Sequence, residues 1–107
     1  MNTATTYRDP TVPVEVQQGT SFALVLESNP STGYQWQLAQ PLDTSVVQAM
    51  ASKYRPAANA MPGAAGSEEW LFRAAGAGRT TIVLSYVRPW EKGVKPIKTS
   101  TFHVIVQ

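Results

Sequence analysis

The chain has 107 residues, nine Lys and Arg against seven Asp and Glu, a formal net charge of +2, and no cysteine. This length is typical of one domain that buries a sufficient core without a metal or cross-link, so we expect a single domain over residues 1–107. The lack of cysteine excludes disulfides, thiolate nucleophiles and thiolate metal sites, and the small charge is not the clustered basic footprint of a nucleic-acid-binding protein.

The beginning of the chain, Met1-Asn2-Thr3-Ala4, has no basic segment followed by an apolar stretch, so it contains no signal peptide as given. A mature form with an added methionine would look the same. The compartment is therefore unknown, and a periplasmic or secreted location is expected if a signal peptide was removed. No apolar run approaches the roughly 20 residues that a membrane span requires. We expect a flexible N-terminus over about residues 1–10 and no membrane partner.

Apolar residues alternate with a period of two along most of the chain, and eight Pro and seven Gly separate the alternating segments. Seven segments are predicted to be strands: Val12–Val16, Ser21–Glu27, Gln35–Ala39, Val46–Tyr54, the segment around Trp70 and Phe72, Thr80–Val87, and the segment around Phe102, Val104 and Val106. This pattern predicts an all-β fold, an immunoglobulin-like antiparallel sandwich of about seven strands with no disulfide. An open barrel of similar strand count is the alternative.

Two further segments read as connections. Residues 55–67 are rich in Ala, Pro and Gly without any period, and they predict a mobile loop. Gly76-Ala77-Gly78 reads as a tight turn leading into the next strand. Trp36 and Trp70 lie within strand patterns, so both are predicted to belong to the core.

The segment Asn29-Pro30-Ser31-Thr32-Gly33-Tyr34 combines residues that fix a backbone turn. Pro30 sets its own φ and restricts Asn29, while Gly33 is able to adopt a positive φ, so Ser31 and Thr32 are held near the tip. A rigid tip of this kind loses little entropy when a partner immobilises it. The alternative is an ordinary strand connection, in which these residue types occur because turns favour them.

The segment Arg88-Pro89-Trp90 follows the strand pattern that ends near Val87. Pro89 cannot continue a central strand, so Trp90 falls in a turn region. An exposed Trp beside an Arg matches the residue types that dominate binding hot spots. The alternative is that Trp90 folds back over an edge of the core and Arg88 pairs with a local carboxylate.

These two segments resemble the chagasin family of cysteine peptidase inhibitors. In that family a loop of the form Asn-Pro-Thr-Thr-Gly-Tyr, a Gly-rich loop and an Arg-Pro-Trp or Arg-Pro-Phe loop lie at one end of an immunoglobulin-like sandwich. The first motif differs here only at Ser31, and Arg88-Pro89-Trp90 matches fully. Gly63-Ala64-Ala65-Gly66-Ser67-Glu68 is similar to the family's Gly-Ala-Gly-Gly-Thr-Glu, with Ala65 in place of a glycine. If that position has a positive φ, the alanine costs about 1 kcal/mol or forces another loop shape.

The resemblance implies a reversible, tight-binding inhibitor of papain-like cysteine peptidases of the papain or cathepsin L type. Three loops, at residues 29–34, 62–68 and 88–92, would occlude the catalytic cleft, with Thr32 against the catalytic cysteine and histidine. The protease-binding residues implied are Asn29, Pro30, Ser31, Thr32, Gly33, Tyr34, Gly63, Ala64, Ala65, Gly66, Arg88, Pro89 and Trp90. A monomer without cofactor or metal is expected.

Two other functions compete with inhibition. An enzyme is disfavoured because His103, the only histidine, sits in the middle of a strand, and because Glu68 and Glu69 are adjacent on a strand and so face opposite ways. A non-catalytic immunoglobulin-like module that binds a glycan or an assembly partner, with Trp90 as its platform, is the alternative, since sandwiches carry many functions. Sugar binding without peptidase inhibition would identify that module.

Overall fold

The computed structural model describes residues 5–56 and 66–107. Within these ranges the strands are β1 (Thr5–Tyr7), β2 (Val14–Val16), β3 (Ser21–Ser28), β4 (Gln35–Leu38), β5 (Val47–Arg55), β6 (Gly66–Ala74), β7 (Gly78–Val87) and β8 (Lys98–Val106). One short 3-10 turn, Pro30–Thr32, lies between β3 and β4. None of the described residues belongs to a helix that is long and apolar enough to cross a membrane.

The strands form two four-stranded sheets. The first sheet has the order β1-β3-β6-β5 and the second has the order β2-β8-β7-β4. Most neighbours are antiparallel, but the short edge strands β1 and β2 pair in parallel with β3 and β8. Among the described strands, five connections carry the chain from one sheet to the other: β1 to β2, β2 to β3, β3 to β4, β4 to β5 and β6 to β7.

The core lies between the two sheets and is built from the alternating apolar residues of the strands. Phe22 and Leu24 of β3, Phe72 of β6, and Ile82 and Leu84 of β7 are fully buried. Phe22 and Phe72 stand opposite each other in the register and stack with ring centroids 5.5 Å apart. Burying a side chain of this size contributes about 1.5–3 kcal/mol, so these residues are a main source of the attraction between the sheets.

All seven predicted strands are present, and an eighth, β1, adds to them. The expectation of a flexible N-terminus over about residues 1–10 is wrong for Thr5–Tyr7, which pair with Phe22–Leu24 of β3. This strand has only three residues. Its Tyr7 ring packs on the core in an edge-to-face arrangement, with the Tyr7 and Phe22 ring centroids 6.5 Å apart. Three residues are too few to show an alternating pattern in the sequence.

The strands β5 and β6 extend further toward their connection than the sequence indicates. Arg55 pairs with Ser67, and Gly66 pairs with Ser28 of β3, so both ends of the loop expected at 55–67 are in fact strand. Trp36 is buried as predicted, whereas Trp70 is only partly buried and packs against the rim of the core. The turn expected at 76–78 lies between Ala74, where β6 ends, and Gly78, where β7 begins.

Candidate functional site

The connection between β3 and β4, residues 29–34, is called the first loop and is held by its own hydrogen bonds. The Asn29 side-chain oxygen accepts hydrogen bonds from the Ser31 amide (3.3 Å) and hydroxyl (2.6 Å). The Asn29 carbonyl oxygen accepts the Thr32 amide (3.2 Å) and hydroxyl (2.8 Å). An Asn whose side chain bonds to the backbone two residues on forms a stable turn. The tip, with exposed Ser31 and Thr32, is therefore ordered before any partner binds.

An aromatic cluster supports the first loop from below. The buried Tyr86 of β7 accepts a hydrogen bond from the Asn29 amide through its hydroxyl (2.8 Å). The Tyr34 ring stacks on the Tyr86 ring, with centroids 5.4 Å apart, and the Trp36 ring lies 4.9 Å from it on a tilted plane. The loop thus begins and ends on the same buried tyrosine. Tyr86 falls in the predicted strand Thr80–Val87, and the strand pattern does not reveal this contact, which depends on the hydroxyl.

Arg88 joins the first loop to the residues that follow β7, at 88–92, which are called the third loop. Its Nε donates to the Thr32 carbonyl oxygen (3.0 Å), and its guanidinium lies 4.5 Å from the Tyr34 ring centroid. An ion pair with Glu91 is longer, at 4.0 Å, and partly exposed, so it contributes little. The pairing of Arg88 with a local carboxylate, which belonged to the alternative for this segment, is present. The stronger contacts of Arg88 are nevertheless to the first loop.

Trp90 is exposed, not folded over the core. It retains 68% of its accessible surface, more than Val12, Met50, Tyr54, Val94 and Ile97, the other exposed large apolar residues of the described segments. Gly33 has a φ of 84°, and a Cβ at that position would collide with the Trp90 ring. Glycine at this position therefore serves both the turn and the close approach of the indole. The two loops form one continuous surface, with Thr32 and Trp90 projecting from it.

The middle of the three expected contacts falls largely outside the described residues, because Gly63, Ala64 and Ala65 are not among them. Gly66 is described and is the first residue of β6. A Cβ on Gly66 would collide with the Arg55 carbonyl oxygen and would lie 2.8 Å from Cζ of the Tyr54 ring. The expectation that residues 62–68 form a loop is wrong for 66–68, which are paired in the sheet.

Glu68 and Glu69 do not form a catalytic pair. Glu69 points outward and pairs with Arg55 at 3.2 Å, while Glu68 points to the opposite face and accepts hydrogen bonds from β3 and β4. His103 is an exposed residue of β8. Among the residues that the structure describes, no group of three or more His, Asp or Glu is placed to hold a metal ion. The role of Glu68 was not visible in the sequence, because its partners Ser28 and Trp36 lie on other strands.

Comparisons with known proteins agree with the fold. The family model described as Chagasin family peptidase inhibitor I42 matches residues 15–106. Amoebiasin-2 of Entamoeba histolytica is 38% identical over 82 residues, which cover 77% of this chain and 67% of that protein.

Two solved structures have the same fold. The crystal structure of a cysteine protease inhibitor from Entamoeba histolytica has a TM-score of 0.79 and 24% identity over 97% of this chain and 95% of that one. The structure of PbICP-C in complex with falcipain-2 has a TM-score of 0.64 and 18% identity, covering 98% of this chain and 90% of that one. The eight strands in two sheets are therefore the immunoglobulin-like sandwich of such inhibitors.

The family match covers both described loops and most of the sandwich. It favours inhibition over the glycan-binding or assembly module, and it confirms that the protein is not an enzyme, since the family consists of inhibitors. The protein belongs to the chagasin family of peptidase inhibitors.

Proposed function

We propose that this protein inhibits papain-like cysteine peptidases by placing the first loop in the catalytic cleft and the third loop against one wall of that cleft. The observation that carries the proposal is the joined surface of the two loops. The hydrogen bond from Arg88 to the Thr32 carbonyl fixes the loop tip beside an indole that is 68% exposed. The peptidase bound to PbICP-C, falcipain-2, is a partner of a protein with the same fold.

The tip would block the cleft without being cleaved. A papain-like peptidase carries a thiolate and an imidazolium at the floor of its cleft, each stabilised by the other. Thr32 would lie against that pair. Its amide and hydroxyl are both bonded to the Asn29 carbonyl, so the turn presents a folded backbone and not an extended one. A substrate must offer an extended, accessible carbonyl to the thiolate, so this tip occludes the nucleophile without acylating it.

The third loop would supply the anchor. Trp90 is large, rigid and exposed, and stacking on an aromatic residue of the peptidase would contribute beyond its buried area. Arg88 would act mainly within the inhibitor, because its Nε is already bonded to Thr32. With residues 63–66 along the other wall, the three contacts fit the roughly 1,600 Å² that protease–inhibitor interfaces bury.

Rigidity makes this arrangement suitable for tight binding. The hydrogen bonds from Ser31, Thr32 and Arg88 order the tip in the free protein. Each side chain that is immobilised only on binding costs about 0.5–1.5 kcal/mol, so an ordered tip avoids part of that loss. The affinity should therefore depend on a few residues at the tip and on Trp90.

The test is a titration of papain and of a cathepsin L-type peptidase with the purified protein, using a fluorogenic peptide as substrate. We expect stoichiometric, reversible inhibition, and mass spectrometry should find the inhibitor intact afterwards. A serine peptidase assayed in parallel should be unaffected, because its cleft and nucleophile differ. A lack of inhibition of both cysteine peptidases at micromolar concentration, or cleavage of the first loop during the assay, would contradict the proposal.

A further inference from the structure

Glu68 of β6 connects the two ends of the first loop. Its Oε2 accepts hydrogen bonds from the Ser28 hydroxyl (2.8 Å) and from the Trp36 amide (3.1 Å). Ser28 is the last residue of β3, and Trp36 is the second residue of β4, so one oxygen atom bridges both sides of the connection. The other carboxylate oxygen, Oε1, accepts the Trp70 indole N–H at 3.3 Å.

This bridge also joins the two sheets. Ser28 and Glu68 belong to the first sheet, whereas Trp36 belongs to the second. The backbone pairs of β4 in the second sheet are with β7, so the Glu68 carboxylate reaches β4 from the side opposite to β7. Hydrogen bonds to an ionised acceptor are roughly twice as strong as neutral ones. A side chain outside the first loop therefore helps to hold the two strands that carry it, together with the direct bond from Trp36 Nε1 to the Glu27 carbonyl oxygen (3.0 Å).

Removal of this acceptor would be costly at both ends. Ser28 is 2% exposed and Trp36 is 5% exposed, so neither has free access to water. A buried donor that loses its partner pays the full cost of its desolvation. The strand ends would loosen to hydrate these groups, and the Asn29 turn between them would keep only its support on Tyr86.

We propose that Glu68 is a positioning residue for inhibition: it touches no peptidase, but it holds the base of the first loop so that Thr32 is presented in one conformation. The inhibitory part of this inference rests on the proposed function. The ordering of the loop does not, because it is a property of the free protein. The charged neighbour Glu69 provides a matched control, since it lies on the opposite face of the same strand and pairs with exposed Arg55.

The experiment compares Glu68→Ala, Glu68→Gln and Glu69→Gln with the wild type. In the free proteins, NMR hydrogen exchange is measured at the amides of residues 31–34 and of Trp36, together with the resonance of the Trp70 indole N–H. For Glu68→Ala we expect exchange at least about fivefold faster at these amides, because the loop opens locally. Glu69→Gln should leave them unchanged.

The Glu68→Gln variant distinguishes the bonds to Ser28 and Trp36 from the bond to the Trp70 indole. Its single carbonyl oxygen is able to accept from both Ser28 and Trp36, while its NH₂ group faces the Trp70 indole, which is a donor as well. We therefore expect the Trp70 indole resonance to shift in Glu68→Gln, with loop exchange close to that of the wild type. If Glu68→Ala fails to fold, Glu68→Asp replaces it, because its shorter side chain keeps the charge but cannot span both donors. The same acceleration is expected.

Inhibition of papain is measured on the same variants. Glu68→Ala should raise the inhibition constant about tenfold, since the loop has to be ordered on binding, and Glu68→Gln should recover it to within about threefold. Unchanged exchange at residues 31–34 in Glu68→Ala or Glu68→Asp would overturn the inference. If these amides do exchange faster but the wild type inhibits no papain-like peptidase, the proposed function fails and the positioning role stands.

Discussion

The turn that begins at Asn29 and the turn that begins at Asp43 share one set of hydrogen bonds. In each, the side-chain oxygen accepts the amide and the hydroxyl of a serine two residues later: Ser31 in the first case, with an amide distance of 3.3 Å, and Ser45 in the second, at 3.2 Å. Both turns carry the chain from one sheet to the other. By local chemistry alone they are equivalent.

Their surroundings differ. The fourth residue of the Asn29 turn, Thr32, is exposed, and its carbonyl oxygen accepts a hydrogen bond from Arg88. The fourth residue of the Asp43 turn, Val46, is buried in the core. Trp90 covers Gly33 beside the first turn, whereas the Asp43 turn packs closely on Gly76 through the Ser45 carbonyl. The hydrogen bonds make both turns rigid. The neighbours leave the first turn exposed beside Trp90 and make the second a part of the core.

The largest effect on inhibition should come from a long charged side chain at the tip of the first loop. Thr32→Arg places a long charged side chain where the tip must fit beside the thiolate, so we expect inhibition of papain to be abolished. The same change at the Asp43 turn, Thr44→Arg, also falls on an exposed residue and should leave inhibition intact. Inhibition constants measured for both variants check this. Equal inhibition by Thr32→Arg and the wild type would show that the tip does not enter the cleft.

The next effect should come from the anchor in the third loop. Trp90→Ala should weaken inhibition by at least about 2 kcal/mol, roughly thirtyfold, as expected for a central aromatic contact. Because this residue is 68% exposed, thermal stability should barely change. The control is Val12→Ala, an exposed apolar residue in the turn that begins at Asp9, for which no loss is expected. A loss below threefold for Trp90→Ala, with the fold intact, would remove Trp90 from the interface.

A smaller effect should show whether inhibition depends on the stability of the whole protein or on the rigidity of the first turn alone. Ser31→Ala and Ser45→Ala each remove the hydroxyl bond to the Asx side chain, so both should lower the free energy of unfolding by a similar amount, about 0.5–1.5 kcal/mol. Only Ser31→Ala should weaken inhibition, by about threefold, because it loosens the tip. Chemical denaturation and papain titration of both variants make the comparison. A loss of inhibition in Ser45→Ala equal to that in Ser31→Ala would mean that overall stability governs binding.

The strands and the exposed loops were largely predictable because their causes are local. Alternation along β3 and β7 identifies the core, and the residue types of Asn29–Tyr34 and Arg88–Trp90 identify rigid turns. The short strand β1 was not predictable, because three residues with one core contact carry no period.

The contacts that join the loops were not predictable from spacing either. The Arg88–Thr32 bond spans 56 residues and the Ser28–Glu68 bond spans 40, so both depend on which strands become neighbours. Gly66 illustrates the same point. In the sequence it looks like part of a Gly-rich loop, but in the structure it is a strand residue that makes room for the Arg55 carbonyl and the Tyr54 ring. The local residue pattern determines the strands and turns, whereas the arrangement of the loops depends on which strands become neighbours.

A third turn with the same hydrogen bonds begins at Asp9, and it extends the comparison to pH. The Asp9 carboxylate accepts the Thr11 hydroxyl (2.6 Å) and amide (2.9 Å). The hydroxyl bond and, to a smaller extent, the amide bond favour the ionised carboxylate. They hold the pKa of Asp9 below its ordinary value of 3.8. The corresponding acceptor in the first loop, Asn29, is an amide that does not titrate in this range.

The smallest expected effect follows from that difference. Because the folded pKa of Asp9 lies below the unfolded one, the contribution of its turn to stability is complete above the unfolded pKa and is lost as the pH falls through the folded pKa. An NMR titration should give a midpoint below 3.8 for the Asp9 carboxyl, and the Thr11 amide shift should follow it. Thr11→Val should raise that midpoint, since it removes the stronger bond. The Ser31 amide should show no transition with this midpoint, because its acceptor stays neutral. A Ser31 transition that follows Asp9, or an Asp9 midpoint at or above 3.8, would contradict the comparison. Because the Asn29 amide stays neutral, the tip of the first loop keeps its hydrogen bonds to Ser31 in acidic solution. A carboxylate at the same position would be protonated there and would lose these bonds.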